Sequence, residues 1–366
     1  MRILLAGSGT GGPVIPLLAV ANKIKEQNPE AEFLFVGTKH GPEADFVKHA
    51  GFKFESVPAG KLRRYFSLKN FAAPFEVVAG FFRALRIIRD FKPDVVFGVG
   101  GYVCVPVFFA AFLRRKKIVI HQQDSRPTLT NKILAPFATK ITVTFEWSLK
   151  DFYSGSGILP FKKNKVVWTG NPFREELLIR HSEARLKKIR ADLGIVENLP
   201  VILVFGGATG AAGINNLLNA ALPELVRFAY VIHGTGGAQK QPSFEHPRYF
   251  PKALITNMPE VYAVSDIVVC RAGLSTITEL SVLKKNAIVI PMLDSHQVDN
   301  ALILKYSDAA IVLNQDYLTA PELISIIRKL LFDHELQMTL SQNIGKIMPH
   351  DATAKLAKII IDLCRR

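Results

Sequence analysis

Two widely separated segments of this 366-residue chain open in the same way. Ile3-Leu4-Leu5-Ala6-Gly7-Ser8-Gly9-Thr10-Gly11-Gly12 and Val201-Ile202-Leu203-Val204-Phe205-Gly206-Gly207-Ala208-Thr209-Gly210-Ala211 are each an apolar run that passes into a glycine turn and then into helical periodicity. A strand buried on both faces of a parallel sheet reads as such a run, and glycine lets the next helix start close against it. Strand-like runs continue at 32–36, 95–99, 117–120 and 141–144 in the first half, and at 230–233, 253–256, 267–270, 287–291 and 310–313 in the second, with helix-length segments between them. This alternation predicts an α/β chain of two parallel-sheet halves, and at this length more than one core is expected. Near 165–172 the pattern changes, and a charged helical segment over 175–193 follows. The expected domains are therefore 1–168 and 169–366. The stretch 321–366 is helical in pattern, with Leu323, Ile327, Leu330 and Leu331 on one face, and its last helix is free to pack back on the first domain.

Several classes are excluded. The apolar stretch at 3–6 is too short for a signal peptide, and the longest apolar run, 103–113, contains Pro106 and falls short of the ~18 residues of a spanning helix. A cytoplasmic chain that does not cross the membrane is expected. Cys104, Cys270 and Cys364 are odd in number and far apart, which suits neither a disulfide framework nor a zinc site. The net charge of +15 is concentrated: residues 1–168 hold 25 Lys/Arg against 12 Asp/Glu, the remainder 21 against 19. Such a field points to an anionic partner for the first domain.

Glycine turns after strands suit pyrophosphates, because backbone N–H groups and a helix N-terminus converge on the ligand. Gly7-x-Gly9-x-x-Gly12 fits the dinucleotide fingerprint literally, but the second strand ends in Gly37-Thr38-Lys39, without the acidic residue a nicotinamide nucleotide needs. In the second half, Cys270-Arg271-Ala272-Gly273-Leu274-Ser275-Thr276-Ile277-Thr278-Glu279 combines backbone donors for a diphosphate with a carboxylate suited to vicinal ribose hydroxyls. Asp294-Ser295-His296-Gln297-Val298-Asp299-Asn300 follows the next strand and offers groups that suit sugar hydroxyls. Each cluster also has a plain reading, Glu279 as a solvated helix residue and His296 as a surface histidine.

With these residues in place the chain resembles the MurG family, the peptidoglycan N-acetylglucosaminyltransferases that convert lipid I to lipid II. The resemblance runs over essentially the whole length through Gly9-Thr10-Gly11-Gly12, Lys92-Pro93-Asp94-Val95-Val96, Gly100-Gly101-Tyr102-Val103, His121-Gln122-Gln123-Asp124-Ser125, Leu129-Thr130-Asn131-Lys132, Gly170-Asn171-Pro172-Phe173-Arg174, the Cys270 to Glu279 block, and His296-Gln297 with Asn300-Ala301. It implies a GT-B fold, two Rossmann-like domains with a cleft between them, holding the lipid I acceptor on undecaprenyl pyrophosphate in the first domain and UDP-GlcNAc in the second. Ile255 would meet the uracil through its backbone, Glu279 the ribose, Leu274, Ser275 and Thr276 the diphosphate, and His296 and Gln297 the GlcNAc. Arg271 would stand beside the phosphates as a catalytic group, and Thr10, Gly11, Gly12, Asp124, Arg174 and Ala208 complete the expected donor contacts. UDP-GlcNAc is then a substrate, and no cofactor or metal is expected; the sequence contains no Asp-x-Asp pair.

The chain departs from the family on the acceptor side. The usual histidine after the first turn is Pro13, the His-Glu-Gln-Asn block reads His121-Gln122-Gln123-Asp124, Ala208-Thr209 replaces Ser-Gln, and Ala272 replaces serine. Proline accepts no proton, so Asp124 becomes the candidate base. The same departures leave open a related UDP-sugar transferase for another lipid acceptor, or a weakened scaffold among other cell-wall assembly proteins.

Segment 63–92 carries Arg63, Arg64, Lys69, Arg83, Arg86, Arg89 and Lys92 against Glu76 and Asp90. Phe71, Phe75, Val78, Phe82 and Leu85 recur at +4, +3, +4 and +3, one helical face, which Val77, Phe81 and Ile88 widen. Packing on the sheet explains a narrow stripe. The wider aromatic surface beside arginines predicts a peripheral patch of Phe71, Phe75, Phe82, Arg83 and Arg86 on an anionic phospholipid surface, at the cytoplasmic face of the inner membrane. With no zinc-finger spacing or RNP-like run, a nucleic-acid partner is not expected.

Overall fold

The computed structural model describes residues 1–7, 11–39, 41, 43–60, 69–153, 165–207, 209–237, 239 and 242–365. The chain divides into two compact units, Met1–Arg174 with Met348–Arg366, and Glu175–Ile347. The expected division at 168/169 thus stands beside observed crossings at 174/175 and 347/348.

In the first unit, β1 (Arg2–Ala6), β2 (Glu32–Gly37), β3 (Lys53–Ser56), β4 (Val95–Gly98), β5 (Lys117–Gln122), β6 (Lys140–Val143) and β7 (Val166–Trp168) form a parallel sheet in the order β3-β2-β1-β4-β5-β6-β7. Successive side chains on a strand point to opposite faces, and here both faces are covered. Leu4, Ala6, Leu34, Val36, Val96, Ile118 and Ile120 pack with Ala84, Ile87, Ile88, Val107 and Phe108. Ile3, Leu5, Phe33, Phe35, Val95, Phe97 and Val119 pack with Leu17, Val20 and Ile24, and with Leu356, Ala357, Ile360 and Ile361 of the Ala352–Arg365 helix. That final helix is therefore part of the first unit's core. Lys117 Nζ donates to Leu363 O at 2.7 Å, and Thr353 Oγ1 exchanges hydrogen bonds with the Phe173 backbone at 3.0 and 2.9 Å.

The second unit repeats this order. Strands β8 (Val201–Phe205), β9 (Tyr230–Gly234), β10 (Tyr249–Lys252), β11 (Ile267–Cys270), β12 (Asn286–Val289) and β13 (Ile311–Val312) are parallel in the order β10-β9-β8-β11-β12-β13. Ile202, Val204, Val231, Ile267, Val269 and Ile288 pack against Ile214, Leu218 and Leu222, and against Leu323, Ile327, Leu330 and Leu331. In both units the strand order reverses beside the first strand, so each has a switch point at its carboxyl edge, where open α/β sheets take ligands.

Two local expectations are corrected. The strand expected at 253–256 lies earlier, at Tyr249–Lys252: Tyr249 is buried and pairs with Val231, while Ala253 and Leu254 are exposed. Pro251 is tolerated because β10 is an edge strand. The helix expected over 175–193 is a 3₁₀ turn, Glu175–Leu178, and a separate helix, Glu183–Asp192, which Ser182 caps by accepting from the Arg185 N–H at 3.3 Å.

Candidate functional site

At the carboxyl edge of the second sheet, β11 leads through Arg271 into the Leu274–Leu283 helix. Its N-cap is Gly273, so no side chain caps this helix start. Asn300 Nδ2 donates to Ala272 O at 3.2 Å and fixes the turn from the His296–Tyr306 helix. Leu274 and Ser275 are buried and Thr276 half-buried. Glu279, one turn further on, is only 4% exposed, and Tyr262 donates its hydroxyl proton to Glu279 Oε2 at 3.0 Å. A solvated helix glutamate is therefore ruled out: this carboxylate is held inside.

Arg271 Nη1 donates to Ile290 O and Pro291 O, each at 3.0 Å, and Nη2 donates to Gln315 Oε1. Burial lowers its pKa. Three of the five guanidinium N–H groups thus tie the end of β11 to the end of β12 and to residue 315. Among the described residues its two further N–H groups have no protein acceptor, which suits the phosphate role expected of it. Beyond β12, Ser295 caps the His296–Tyr306 helix by accepting from Gln297 N–H at 3.2 Å, and donates to Met292 O at 2.7 Å. Gln297 Oε1 accepts from Met292 N–H at 3.1 Å; Gln297 is half-buried, whereas His296 is exposed, as a surface histidine is. Ile255 lies against Gly234 at the end of β9; a Cβ there would come within 3.3 Å of Ile255 Cδ1. Ala208 lies outside the described residues.

The first unit has its own buried polar edge. His121, at the end of β5, is fully buried, with Nδ1 2.9 Å from Thr142 Oγ1 and Nε2 3.1 Å from Asn171 Oδ1. Burial pushes its pKa down to about 4, so the ring is neutral. Gln122 uses all four of its hydrogen-bonding positions: Nε2 donates to Asp124 O (2.9 Å) and Arg126 O (2.7 Å), and Oε1 accepts from Asn131 Nδ2 (2.7 Å) and Thr128 N–H (3.3 Å). A glutamate at 122 supplies only acceptors. The amide therefore clamps the loop that carries Asp124, itself half-buried. Asn131 Oδ1 is buried with no partner among the described residues and faces Gly100, where a φ of +99° strains any side chain and a Cβ would lie 3.1 Å from that oxygen.

Gly11 and Gly12 lie in the first turn of the Gly11–Gln27 helix, and Arg174 is half-buried at the end of the first unit's main segment. Thr10 lies outside the described residues. Not foreseen from the sequence is Glu43, 1% exposed, whose Oε1 accepts from Thr38 N–H (2.8 Å) and Oγ1–H (2.5 Å) while Oε2 has no partner among the described residues. Nearby, burial and then the Glu43 charge raise the pKa of Tyr102, and a hydrogen bond with Thr38 lowers it.

The Lys69–Phe91 helix turns Ala73, Gly80, Ala84, Ile87 and Ile88 to the core, with Phe81 and Leu85 packed beside them. Ile88, Phe81 and Leu85 thus leave the expected lipid-facing surface. Its outer face keeps Phe75 (78% exposed), Val78 and Phe82 (63%), with Arg83 and Arg86 exposed and Arg83 paired to Glu55 at 2.8 Å. The Phe71 side chain lies outside the described residues. Phe112 and Leu113 are exposed beside Arg114, Arg115 and Lys116 in the same unit. Among the described residues no helix is long and apolar enough to cross a membrane, and no cluster of three or more His, Cys, Asp or Glu is placed to hold a metal.

Residues 3–143 match the model of the glycosyltransferase family 28 N-terminal domain, and residues 201–357 that of its C-terminal domain. Proteins of Listeria welshimeri and Ruminiclostridium cellulolyticum, both named UDP-N-acetylglucosamine–N-acetylmuramyl-(pentapeptide) pyrophosphoryl-undecaprenol N-acetylglucosamine transferase, are 34% identical over 378 residues and 35% identical over 375. The alignments cover 100% and 99% of this chain and 100% of each relative. Among solved structures, Acinetobacter baumannii MurG superposes with a TM-score of 0.69 at 24% identity, covering 99% of both chains. The Neisseria meningitidis UDP-GlcNAc 2-epimerase bound to UDP-GlcNAc gives 0.69 at 15%, over 99% of this chain and 100% of that one. These likenesses show the fold, a GT-B fold of two Rossmann-like units. With both domain models matched in order and full-length relatives at this identity, the chain belongs to the MurG family of glycosyltransferase family 28.

Proposed function

We propose that the chain transfers GlcNAc from UDP-GlcNAc to the 4-hydroxyl of MurNAc in the undecaprenyl-pyrophosphoryl acceptor lipid I, forming lipid II. The observation that carries this reading is the second unit's carboxyl edge, where a helix start without a side-chain cap stands one turn before a buried carboxylate. Backbone N–H groups of Leu274, Ser275 and Thr276 would meet the diphosphate, Glu279 the ribose, the Ile255 backbone the uracil, and His296 and Gln297 the sugar. The family relatives named for this transfer support the choice of substrates.

The acceptor oxygen forms a bond to the anomeric carbon as the bond from that carbon to the diphosphate oxygen breaks, with inversion. Asp124 takes the hydroxyl proton and UDP leaves. Negative charge grows on the departing diphosphate, and the positive end of the Leu274–Leu283 helix stabilises it more in the transition state than before. Arg271 keeps the ends of β11 and β12 in register for this. Thr10, Gly11, Gly12, Arg174 and Ala208 are proposed as further donor contacts. Incubation with UDP-GlcNAc and a lipid I analogue tests the reading: sugar transfer to the acceptor supports it, and none by a folded protein opposes it.

The first unit is proposed to meet an anionic phospholipid surface through Phe75, Val78 and Phe82 with Arg83 and Arg86. Each basic residue near such a surface contributes about 1 kcal/mol, and the exposed rings add apolar burial. Flotation with anionic vesicles is expected to carry the protein in low salt and lose most of it in high salt or with Phe75→Ser/Phe82→Ser. Binding that is insensitive to both changes places the contact elsewhere.

A further inference from the structure

Burying a carboxylate is costly unless donors compensate it, and Glu279 lies almost wholly inside the second unit. One compensating donor comes from another helix. Tyr262, on Met258–Val264, is itself completely buried, and its hydroxyl reaches Glu279 Oε2 at 3.0 Å. Its ring stands edge-on to Phe205 at the end of β8, with centroids 6.3 Å apart and planes at 72°. Glu279 in turn raises the pKa of Cys270 at the end of β11, after the larger effect of burial. Tyr262 therefore spans from the carboxyl end of β8 to the carboxylate beside β11. The chain that delivers it also passes through Ile255, only a few residues before.

We propose that Tyr262 is a positioning residue for donor recognition: its hydroxyl fixes the Glu279 carboxylate in the orientation that accepts the ribose hydroxyls of the uridine nucleotide. The proposal rests on the reading of Glu279 as the ribose contact. An ionised carboxylate has about four lone-pair sites, and the bond from Tyr262 to one of them sets the direction in which the others point. It also removes the rotamer freedom that binding would otherwise have to freeze. Because the same segment carries Ile255 and Tyr262, base and ribose recognition are built on one stretch of chain.

Calorimetric binding of UDP and 2′-deoxy-UDP to the full chain tests this, with Tyr262→Phe, Glu279→Ala and the double variant. A hydrogen bond to a charged group sets the wild-type preference for UDP at roughly tenfold or more. Tyr262→Phe, which keeps the ring against Phe205, is expected to reduce that preference at least about threefold, since part of the bond's value depends on orientation. Glu279→Ala is expected to abolish it, and Tyr262→Phe is expected to cost nothing more in the Glu279→Ala background. Tyr262→Phe with the wild-type preference, or with equal losses in both backgrounds, overturns the positioning role, as does a Tyr262→Phe protein that does not fold. Glu279→Ala with the preference intact shows instead that the ribose reading itself is wrong.

Discussion

Asp124→Asn is expected to lower kcat for transfer about 10²- to 10⁴-fold, the range for removing a positioned general base, with the KM for UDP-GlcNAc close to wild type. Asparagine has the same shape but accepts no proton at neutral pH. The substitution leaves the loop clamp in place, because Gln122 holds residue 124 by its backbone carbonyl at 2.9 Å. Pro13 makes the expectation sharper, since the family resemblance implies a histidine at this turn and proline accepts no proton. Single-turnover rates with saturating donor separate chemistry from binding. An Asp124→Asn rate equal to wild type removes Asp124 as the base.

The second large effect is on stability in acid. His121 has its pKa depressed by burial from 6.5 to about 4 in the folded protein. On acidification the unfolded chain therefore takes up its proton first, near pH 6.5, and the folded state follows only near pH 4. The stability of the neutral buried ring is present above pH 6.5, falls progressively between pH 6.5 and 4, and changes no further below that. Over the whole window it amounts to about 3 kcal/mol, and to about 2 kcal/mol between pH 6.5 and 5. The chain's two tryptophans, Trp147 and Trp168, both lie in the first unit with His121, so their fluorescence follows the relevant transition in urea. Wild type is expected to lose about 2 kcal/mol more than His121→Gln between pH 6.5 and 5. Parallel losses contradict the account of a neutral, buried imidazole.

The two-sheet framework was legible because each central strand is apolar on both faces and each first strand runs into a glycine turn. Local errors have identifiable causes. At 249–256, Ala253-Leu254-Ile255-Thr256 looks more strand-like than Tyr249-Phe250-Pro251-Lys252, yet an edge strand tolerates proline, and Tyr249 is buried with its hydroxyl 2.8 Å from His233 Nδ1. On the Lys69–Phe91 helix large apolar residues lie on both arcs, Phe75, Val78 and Phe82 outside and Ile87 and Ile88 inside. The small residues Ala73, Gly80 and Ala84 marked the inner one, where the helix approaches its neighbours so closely that a Cβ at Gly80 would lie 1.9 Å from Pro58 O. Spacing alone does not tell which of two apolar arcs faces a sheet; small residues in register are the better signal.

The candidate site divides along the same line. Glu279, Ser275 and His296 could be proposed because they lie within or just after a strand-turn-helix pattern. Glu43 could not, since an acid in the first turn of a short helix, five residues from its threonine partner, looks like any solvated glutamate. Nor could the Tyr262–Glu279 bond, which joins two helices 17 residues apart, or the clamp of Gln122, whose significance rests on which backbone groups surround it. The sequence carries the type of chemistry, and the fold decides which polar groups are withdrawn from water to support it.

The most direct measurement is product analysis after incubating the purified chain with UDP-GlcNAc and a lipid I analogue. The account predicts release of UDP together with a lipid-linked disaccharide in which GlcNAc is joined to the MurNAc 4-hydroxyl with inverted, β configuration. A different lipid acceptor used in preference, retention of the anomeric configuration, or UDP release without a disaccharide would contradict it.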